Sequence, residues 1–139
     1  MKQKLLLLCM AVLLLPKSGS GQSTLQSRTY RFEELPTQKE ANATFRPILD
    51  GLTHSGVHLH VHEVFLLPGS SPHHAHHHQQ EEMFLVSEGE VQVTIAGKTT
   101  KLSPGSAAFV APGDQHQIEN VGTHPAQYFE IILDPSATH

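Results

Sequence analysis

Short β-prone runs separated by turn residues dominate the chain after about residue 56. Val91, Val93 and Ile95 alternate with Gln92 and Thr94, which is the period of a strand with one buried face. Comparable runs are VHLHVHEVFLL, EMFLV, KTTKL, SAAFV, HQIEN and QYFEIIL. No long apolar stretch after the N-terminus has a helical period. Regular short strands with Gly and Pro turns predict a single all-β domain, either a sandwich or a barrel.

Turn residues give the expected limits of these strands. Turns are expected at six glycines, Gly69, Gly89, Gly97, Gly105, Gly113 and Gly122. The Asp50-Gly51 pair is also interpreted as a turn. The segment YRFEELPTQKEANATF mixes helix and loop signals and is left unassigned apart from a turn at Pro36. We predict a barrel over residues 45–134, after a leader and N-terminal segment over 21–44 and before a tail over 135–139.

The N-terminus has lysines, then an apolar run, then small residues, which is the order of a secretory signal peptide. The apolar run from Leu5 to Leu15 is too short to span a bilayer comfortably. A retained N-terminal anchor is the alternative. We predict that residues 1–20 are a signal peptide, that the protein is secreted or periplasmic, and that it has no membrane contact after cleavage.

Charge and cysteine content exclude several classes of function. The formal net charge is −4, and removal of Lys2, Lys4 and Lys17 would leave six basic against thirteen acidic residues. No basic patch therefore suits nucleic acid. Cys9 is the only cysteine and lies inside the predicted signal peptide, so disulfides, thiolate ligands and a cysteine nucleophile are not expected.

Histidines and acids are concentrated in PHHAHHHQQEE, residues 72–82. His76 and His78 have the i, i+2 spacing that points two side chains the same way on an extended segment, and Glu82 follows at the start of a β-prone run. His116, after a Pro-Gly turn, could add a distant ligand. Imidazole and carboxylate groups in such sets hold zinc, iron, manganese, nickel or copper. Taken alone, the tract is more typical of a solvated loop, and a diffuse metal sponge is the third interpretation.

Two segments of the chain resemble the motifs of the cupin family. GSSPHHAHHHQQEEMFLVSEG, residues 69–89, is similar to the first motif, with His76, His78, Glu82 and Gly89 at its intervals. GSAAFVAPGDQHQIEN, residues 105–120, is similar to the second, with matches at Gly113, His116 and Asn120.

The chain departs from the cupin motifs at two places. Gly69 stands one residue too far from His76, and Ala111 occupies the position of a usual proline. The surplus of histidines also permits an alternative set, His74 and His76 with Glu81. Only Glu82 keeps the interval to Gly89, which favours the first set.

The resemblance implies a cupin-type jelly-roll β-barrel with a metal held inside. It assigns one divalent transition metal ion, of iron, manganese, zinc, nickel or copper, to His76, His78, Glu82 and His116. It also favours a homodimer. We expect the remaining histidines of the tract, His73, His74 and His77, to be solvated.

The resemblance implies a metal-dependent enzyme of the dioxygenase, decarboxylase, lyase or isomerase type, so an oxidoreductase or a lyase is favoured. Its substrate would be a small oxygen-rich or anionic organic molecule. The alternatives are a module that binds such a molecule or a metal without turnover, and a metal scavenger. An enzyme needs an acid or base besides the ligands.

His62 and His60 are the candidate acid–base residues. They share one face of a strand with Val64 and Leu66. In cupins that resemble this chain, the apolar residues at these two positions face the barrel. Alternation then places both histidines inside, where a neutral-pH titration suits proton transfer. The other face carries Val57, Leu59, Val61, Phe65 and Leu67 and would be covered by a dimer partner or the N-terminal segment. If that face were inside instead, the histidines would lie on the surface.

Overall fold

The computed structural model describes residues 23–135 of the chain, so the predicted signal peptide and residues 136–139 of the predicted tail lie outside the described part. Within residues 23–135, a 3₁₀ helix at Phe32–Glu34 precedes nine strands. The strands are β1 (Gln38–Lys39), β2 (Thr44–Leu52), β3 (His58–Leu66), β4 (Glu81–Glu88), β5 (Val91–Ile95), β6 (Lys98–Leu102), β7 (Ala107–Val110), β8 (His116–Asn120) and β9 (Ala126–Asp134). In this part of the chain, no helix is long and apolar enough to cross a membrane.

The strands form two antiparallel sheets. The larger has the order β1-β2-β3-β9-β4-β7 and the smaller the order β6-β5-β8. The apolar core takes side chains from both sheets, namely Val64, Leu66, Phe84, Val86, Val110, Ala126 and Tyr128 from the larger, and Val91, Val93 and Ile118 from the smaller. The prediction of a single all-β jelly-roll domain is confirmed, and the predicted strands lie where their alternating patterns indicate.

The predicted glycine turns are confirmed, and one of them requires glycine for steric reasons. Five of the six turn glycines have positive φ, the exception being Gly122 between β8 and β9. At Gly89, a Cβ atom would lie 2.6 Å from the carbonyl oxygen of Pro125 and 2.7 Å from Cα of Ala126. The turn between β4 and β5 therefore packs directly against the start of β9, and only glycine fits there.

Strand β2 was not predicted, and the interpretation of Asp50-Gly51 as a turn is wrong because both residues lie inside this strand. Strand β2 is difficult to recognise in the sequence because Pro47 interrupts its pattern. The register between β2 and β3 shifts at this proline. Gly51 lies where two backbone segments approach closely, because a Cβ atom there would lie 2.9 Å from the carbonyl oxygen of Ser23. Part of the predicted leader thus runs along the edge of β2.

Strand β3 presents its histidine-bearing face to the barrel interior. Val64 and Leu66 are completely buried and His62 is 9% exposed, whereas Phe65 is 38% exposed on the opposite face. The orientation inferred from the cupin resemblance is therefore the one observed. This orientation gives His62 access to the interior that also receives β4 and β9.

Candidate metal centre

Residues 67–80, called the His loop below, are bound along their length to strand β8. The backbone N–H of His76 donates to the carbonyl of His116 at 3.1 Å, and the reciprocal bond measures 2.8 Å. At the far end of β8, the N–H of Asn120 donates to the carbonyl of Ser70 at 2.9 Å. In the turn before β8, the N–H of Gly113 donates to the carbonyl of His78 at 2.8 Å. The histidine tract is therefore held as a quasi-strand of the smaller sheet, which distinguishes it from a free low-complexity loop.

Asn120 fixes the end of β8 from inside the barrel. It is completely buried, and its Nδ2 donates to the carbonyls of Leu66 at 3.1 Å and of His124 at 2.9 Å. Its Oδ1 accepts a hydrogen bond from the N–H of Gly122 at 2.9 Å. A buried amide with its polar atoms satisfied specifies one arrangement of the elements around it, here the ends of β3 and β8 that flank the His loop.

Three imidazoles converge where the His loop meets β8. One ring nitrogen from each of His76, His78 and His116 lies within 4.8 Å of the others. In each ring Nδ1 faces a backbone carbonyl, at 2.9, 3.1 and 3.0 Å respectively. A carbonyl can only accept, so Nδ1 carries the proton and Nε2 keeps a free lone pair. A hydrogen bond from Nδ1 to a carbonyl is a usual way in which a protein orients a histidine that binds metal through Nε2.

Glu82 lies beside these Nε2 atoms. Its Oε2 is 3.0 Å from Nε2 of His78 and 2.8 Å from Nε2 of His116. Glu82 is only 2% exposed because it alternates with buried Phe84 and Val86 on the inner face of β4. Glu81 consequently points to the other face, and His74 is exposed and outside the imidazole group. The geometry brings together the first predicted ligand set and not the alternative with His74 and Glu81.

The donor atoms fit a bound cation. Two Nε2 lone pairs face one carboxylate oxygen, an arrangement that is repulsive unless a proton or a cation lies between them. Nε2 of His116 is buried and has no hydrogen-bond partner of suitable geometry. A set of three imidazoles and one carboxylate suits the divalent ions of iron, manganese, nickel, copper and zinc, and it does not discriminate among them.

A second buried carboxylate, Glu130, was missed by the sequence analysis. It lies on β9, is 8% exposed, and its side chain is hydrogen-bonded to Glu82 and paired with His62. Burial, together with the hydrogen bond and charge of Glu130, raises the pKa of Glu82 to about 10. Burial opposes ionisation of Glu130 too, but hydrogen bonds from His62 and Glu82 outweigh it and lower the pKa of Glu130 to about 2. The pair thus shares one proton at neutral pH when no cation is present.

The only sequence signal for Glu130 is its position in β9. Tyr128 and Ala126, two and four residues before Glu130, are completely buried. Alternation along the strand therefore points Glu130 inward as well. A lone acid in an apolar strand carries no further pattern, and its partners come from two other strands.

The predicted acid–base residues, His62 and His60, lie at different distances from this centre. His62 contacts Glu130 directly, and His60 contacts His62. His62 is buried and Nε2 contacts Glu130, while Nδ1 lies 2.8 Å from Nε2 of His60. The small cavity beside the imidazoles is lined by Glu82, Glu130 and Phe84 among others, but by neither His60 nor His62. Glu130 therefore stands between His62 and the cavity.

Among the histidines expected to be solvated, His73 has ring contacts. It is exposed, but its ring stacks on Phe45 with centroids 6.1 Å apart and meets His76 edge-on at 5.7 Å. It also lines the cavity. His73 therefore lies at the mouth of the centre, whereas His74 and His77 are exposed on the His loop.

Comparison with known proteins finds a match to one protein family and several solved structures of similar fold. A family model described as a cupin domain matches residues 62–132. None of the curated proteins compared with the chain matches it significantly. Among solved structures, an RmlC-like cupin from Shewanella frigidimarina aligns with a TM-score of 0.65 and 20% identity, covering 78% of this chain and 92% of that one.

Two further structures align as well. KdgF from Halomonas sp. has a TM-score of 0.67 and 17% identity over 78% of this chain and 94% of that one. A Thermotoga maritima protein described as a predicted oxalate decarboxylase has a TM-score of 0.64 and 22% identity over 76% and 98%. Identities this low establish a shared fold alone.

Replacing one predicted ligand should separate an ordered centre from a diffuse histidine sponge. We expect H116A to lower bound metal from about one ion per chain to about a tenth or less, because loss of a ligand should weaken affinity by more than the roughly 10- to 100-fold that loss of a ligand's outer hydrogen-bond partner costs. H73A is the matched control, since His73 lies next to the centre without belonging to the imidazole group. The measurement is elemental analysis of untagged protein after dialysis. Equal loss of metal from both variants would contradict the ordered centre.

Proposed function

The chain belongs to the cupin domain family, and on that premise we propose that it is a metal-dependent enzyme that moves a proton to or from a small oxygen-bearing organic molecule. The observation that carries this proposal is Glu130: a buried carboxylate that lines the cavity, contacts Glu82 and is backed by His62. Acid–base catalysis requires a positioned group that can hold and release a proton, and groups whose pKa departs strongly from the ordinary value cluster at such sites.

The metal would be held by His76, His78, Glu82 and His116. When bound, a divalent ion supplies a Lewis acid for a substrate oxygen and, if it is iron, manganese, nickel or copper, access to oxygen chemistry. The ligand set leaves the choice of metal open. The reaction type is equally open among oxygenation, decarboxylation, elimination and isomerisation, because proteins of one fold catalyse different reactions.

The chain's own residues supply orientation and proton transfer. The cavity beside His76, His116 and Glu130 has a volume of only about 10 Å³, which admits a single small group of a substrate, and a carboxylate oxygen of Glu130 is the proton acceptor nearest to that group. Nε2 of His62 contacts the Glu130 carboxylate and would keep it oriented. Phe84 and Ile118 form apolar walls that limit water beside the reacting atoms.

The cavity lining limits the substrate class. Among residues 23–135, no lysine or arginine lines the cavity beside the imidazoles, and two acids do. With a divalent cation bound, the charges of the cation and of two ionised carboxylates cancel. A small neutral or singly charged molecule with adjacent oxygens suits this balance better than a strongly anionic one.

The catalytic proposal is tested by replacing Glu130 while keeping the metal. We expect E130Q to lower kcat by at least about 100-fold, the usual contribution of a positioned acid or base. E81Q is the control, because Glu81 lies on the outward face of β4. Turnover would be assayed on an α-hydroxy acid, a 1,3-diketone and a catechol, with metal content measured in each variant.

The outcomes of this assay distinguish the proposed enzyme from the alternative. Full turnover by metal-loaded E130Q would remove Glu130 from the mechanism. Binding of these probes by the wild-type protein with no turnover of any of them would favour the second candidate, a binding module without catalysis.

We further propose that the protein is a homodimer that buries the outer face of the larger sheet. Four apolar side chains form one cross-strand row on that face, Val61, Ile131, Met83 and Phe109. Phe109 is 55% exposed although it is a large aromatic residue in a strand. An apolar row that spans four strands is typical of a surface covered by a partner.

We expect F109E to convert a dimer into a monomer, because a carboxylate in an apolar interface would lose its hydration. L67E is the matched control, since Leu67 is 59% exposed but follows β3, outside the row. The measurement is sedimentation equilibrium at micromolar concentration. A wild-type mass of one chain would contradict the dimer.

A further inference from the structure

His60 and Asp50 extend the His62–Glu130 pair toward the surface of the barrel. Nε2 of His60 lies 2.8 Å from Nδ1 of His62, and Nδ1 of His60 lies 3.6 Å from Oδ2 of Asp50. Side-chain exposure falls steadily along the array, from 59% at Asp50 through 33% at His60 to 11% at His62 and Glu130. These four residues form a continuous polar connection from solvent to the interior carboxylate.

The positions of the four residues follow from strand register. Asp50 of β2 is the cross-strand partner of His60 of β3, and His62 of β3 is the partner of Glu130 of β9. His60 and His62 are two residues apart and share the inner face of β3. Three adjacent strands of one sheet therefore hold the array, which gives it a rigidity that a surface loop would lack.

Hydrogen-bond chemistry gives the array a direction. His62 Nε2 faces the carboxylate of Glu130, which accepts, so Nε2 carries the proton. Nδ1 of His62 must then accept, and the proton it needs is on Nε2 of His60. Nδ1 of a neutral His60 is left bare toward Asp50, and it can take up a proton that the Asp50 carboxylate stabilises.

The charged and titratable groups around His60 come from all three strands. Burial and the neighbouring His62 lower the pKa of His60, while Asp50 and Glu130 oppose that shift. His60 is therefore mostly neutral at neutral pH and gains a proton only as the pH falls. A neutral imidazole with one donor and one acceptor nitrogen is the form that can pass a proton along the array.

We propose that His60 is a positioning residue that keeps the proton of His62 on Nε2, toward Glu130, and that Asp50 connects the pair to solvent. Through this array, Glu130 would exchange a proton with solvent across the larger sheet. A substrate could meanwhile occupy the opposite side of the centre, next to the His loop. This inference rests on the proposed function, in which His62 and Glu130 hold the proton, but it is measured without turnover.

The test is the tautomer of His62, read from ring ¹⁵N chemical shifts in zinc-loaded protein. We expect Nε2–H as the dominant form in the wild type. H60L removes the donor to Nδ1, so the Nδ1–H form should rise to a readily detected fraction, whereas H60Q keeps an amide donor and should restore the wild-type spectrum. H54Q is the control, since His54 is exposed in the turn between β2 and β3.

The role of Asp50 is tested in D50N, which changes an exposed side chain and leaves the barrel core untouched. We expect exchange of the His62 ring proton with water to slow at least about tenfold relative to the wild type, because the negative charge that stabilises a proton on His60 is lost. An unchanged His62 tautomer in H60L, or unchanged exchange in D50N, would overturn the array. If H60L does not fold, loss of the Nε2–H form in H60Q would overturn it as well.

The tautomer result and the turnover result can fail separately. Full turnover by E130Q together with the expected ¹⁵N shifts would reject the proposed function and retain the array. Loss of turnover in E130Q with an unchanged His62 tautomer in H60L would do the reverse.

Discussion

Two carboxylates buried side by side, Glu82 and Glu130, are the constraint on which the rest of the centre depends. Neither can be solvated at 2% and 8% exposure, and two ionised carboxylates in contact repel each other. Positive charge or a shared proton must compensate them. The molecule has a place for each: the Nε2 lone pairs of His78 and His116 point at Glu82 and can hold a cation there, and Glu82 and Glu130 can share one proton beside His62.

The fold holds this costly arrangement by fixing both carboxylates to strands and by bonding the His loop to a third strand. Glu82 and Glu130 lie on the inner faces of β4 and β9, which are neighbours in the larger sheet. The three imidazoles come from the opposite side, where reciprocal backbone hydrogen bonds between His76 and His116 align the His loop with β8. The centre therefore spans both sheets, and packing of the whole barrel resists the repulsion between its charges.

The sequence allowed prediction of the parts of the fold that depend on local patterns. Alternating apolar positions located the strands after residue 56, and positive-φ glycines such as Gly89 marked their turns. Strand β2 was not found because Pro47 and Gly51 are local signals for irregular structure, and what makes them tolerable is pairing with distant segments. Glu130 was missed for a related reason: its significance comes from His62 and Glu82 on other strands, which no spacing along the chain records.

Proton release on metal binding tests the central claim most directly, namely that a cation replaces the proton that Glu82 and Glu130 share in the metal-free protein. With a pKa of about 10, Glu82 is protonated at neutral pH in the metal-free protein, and it must lose that proton to ligate an ion. Calorimetric titration with zinc at pH 7.0, in buffers that differ in ionisation enthalpy, should show release of about one proton per ion, and E82Q should abolish it. Binding without proton release, or equal release by the wild type and E82Q, would contradict the account.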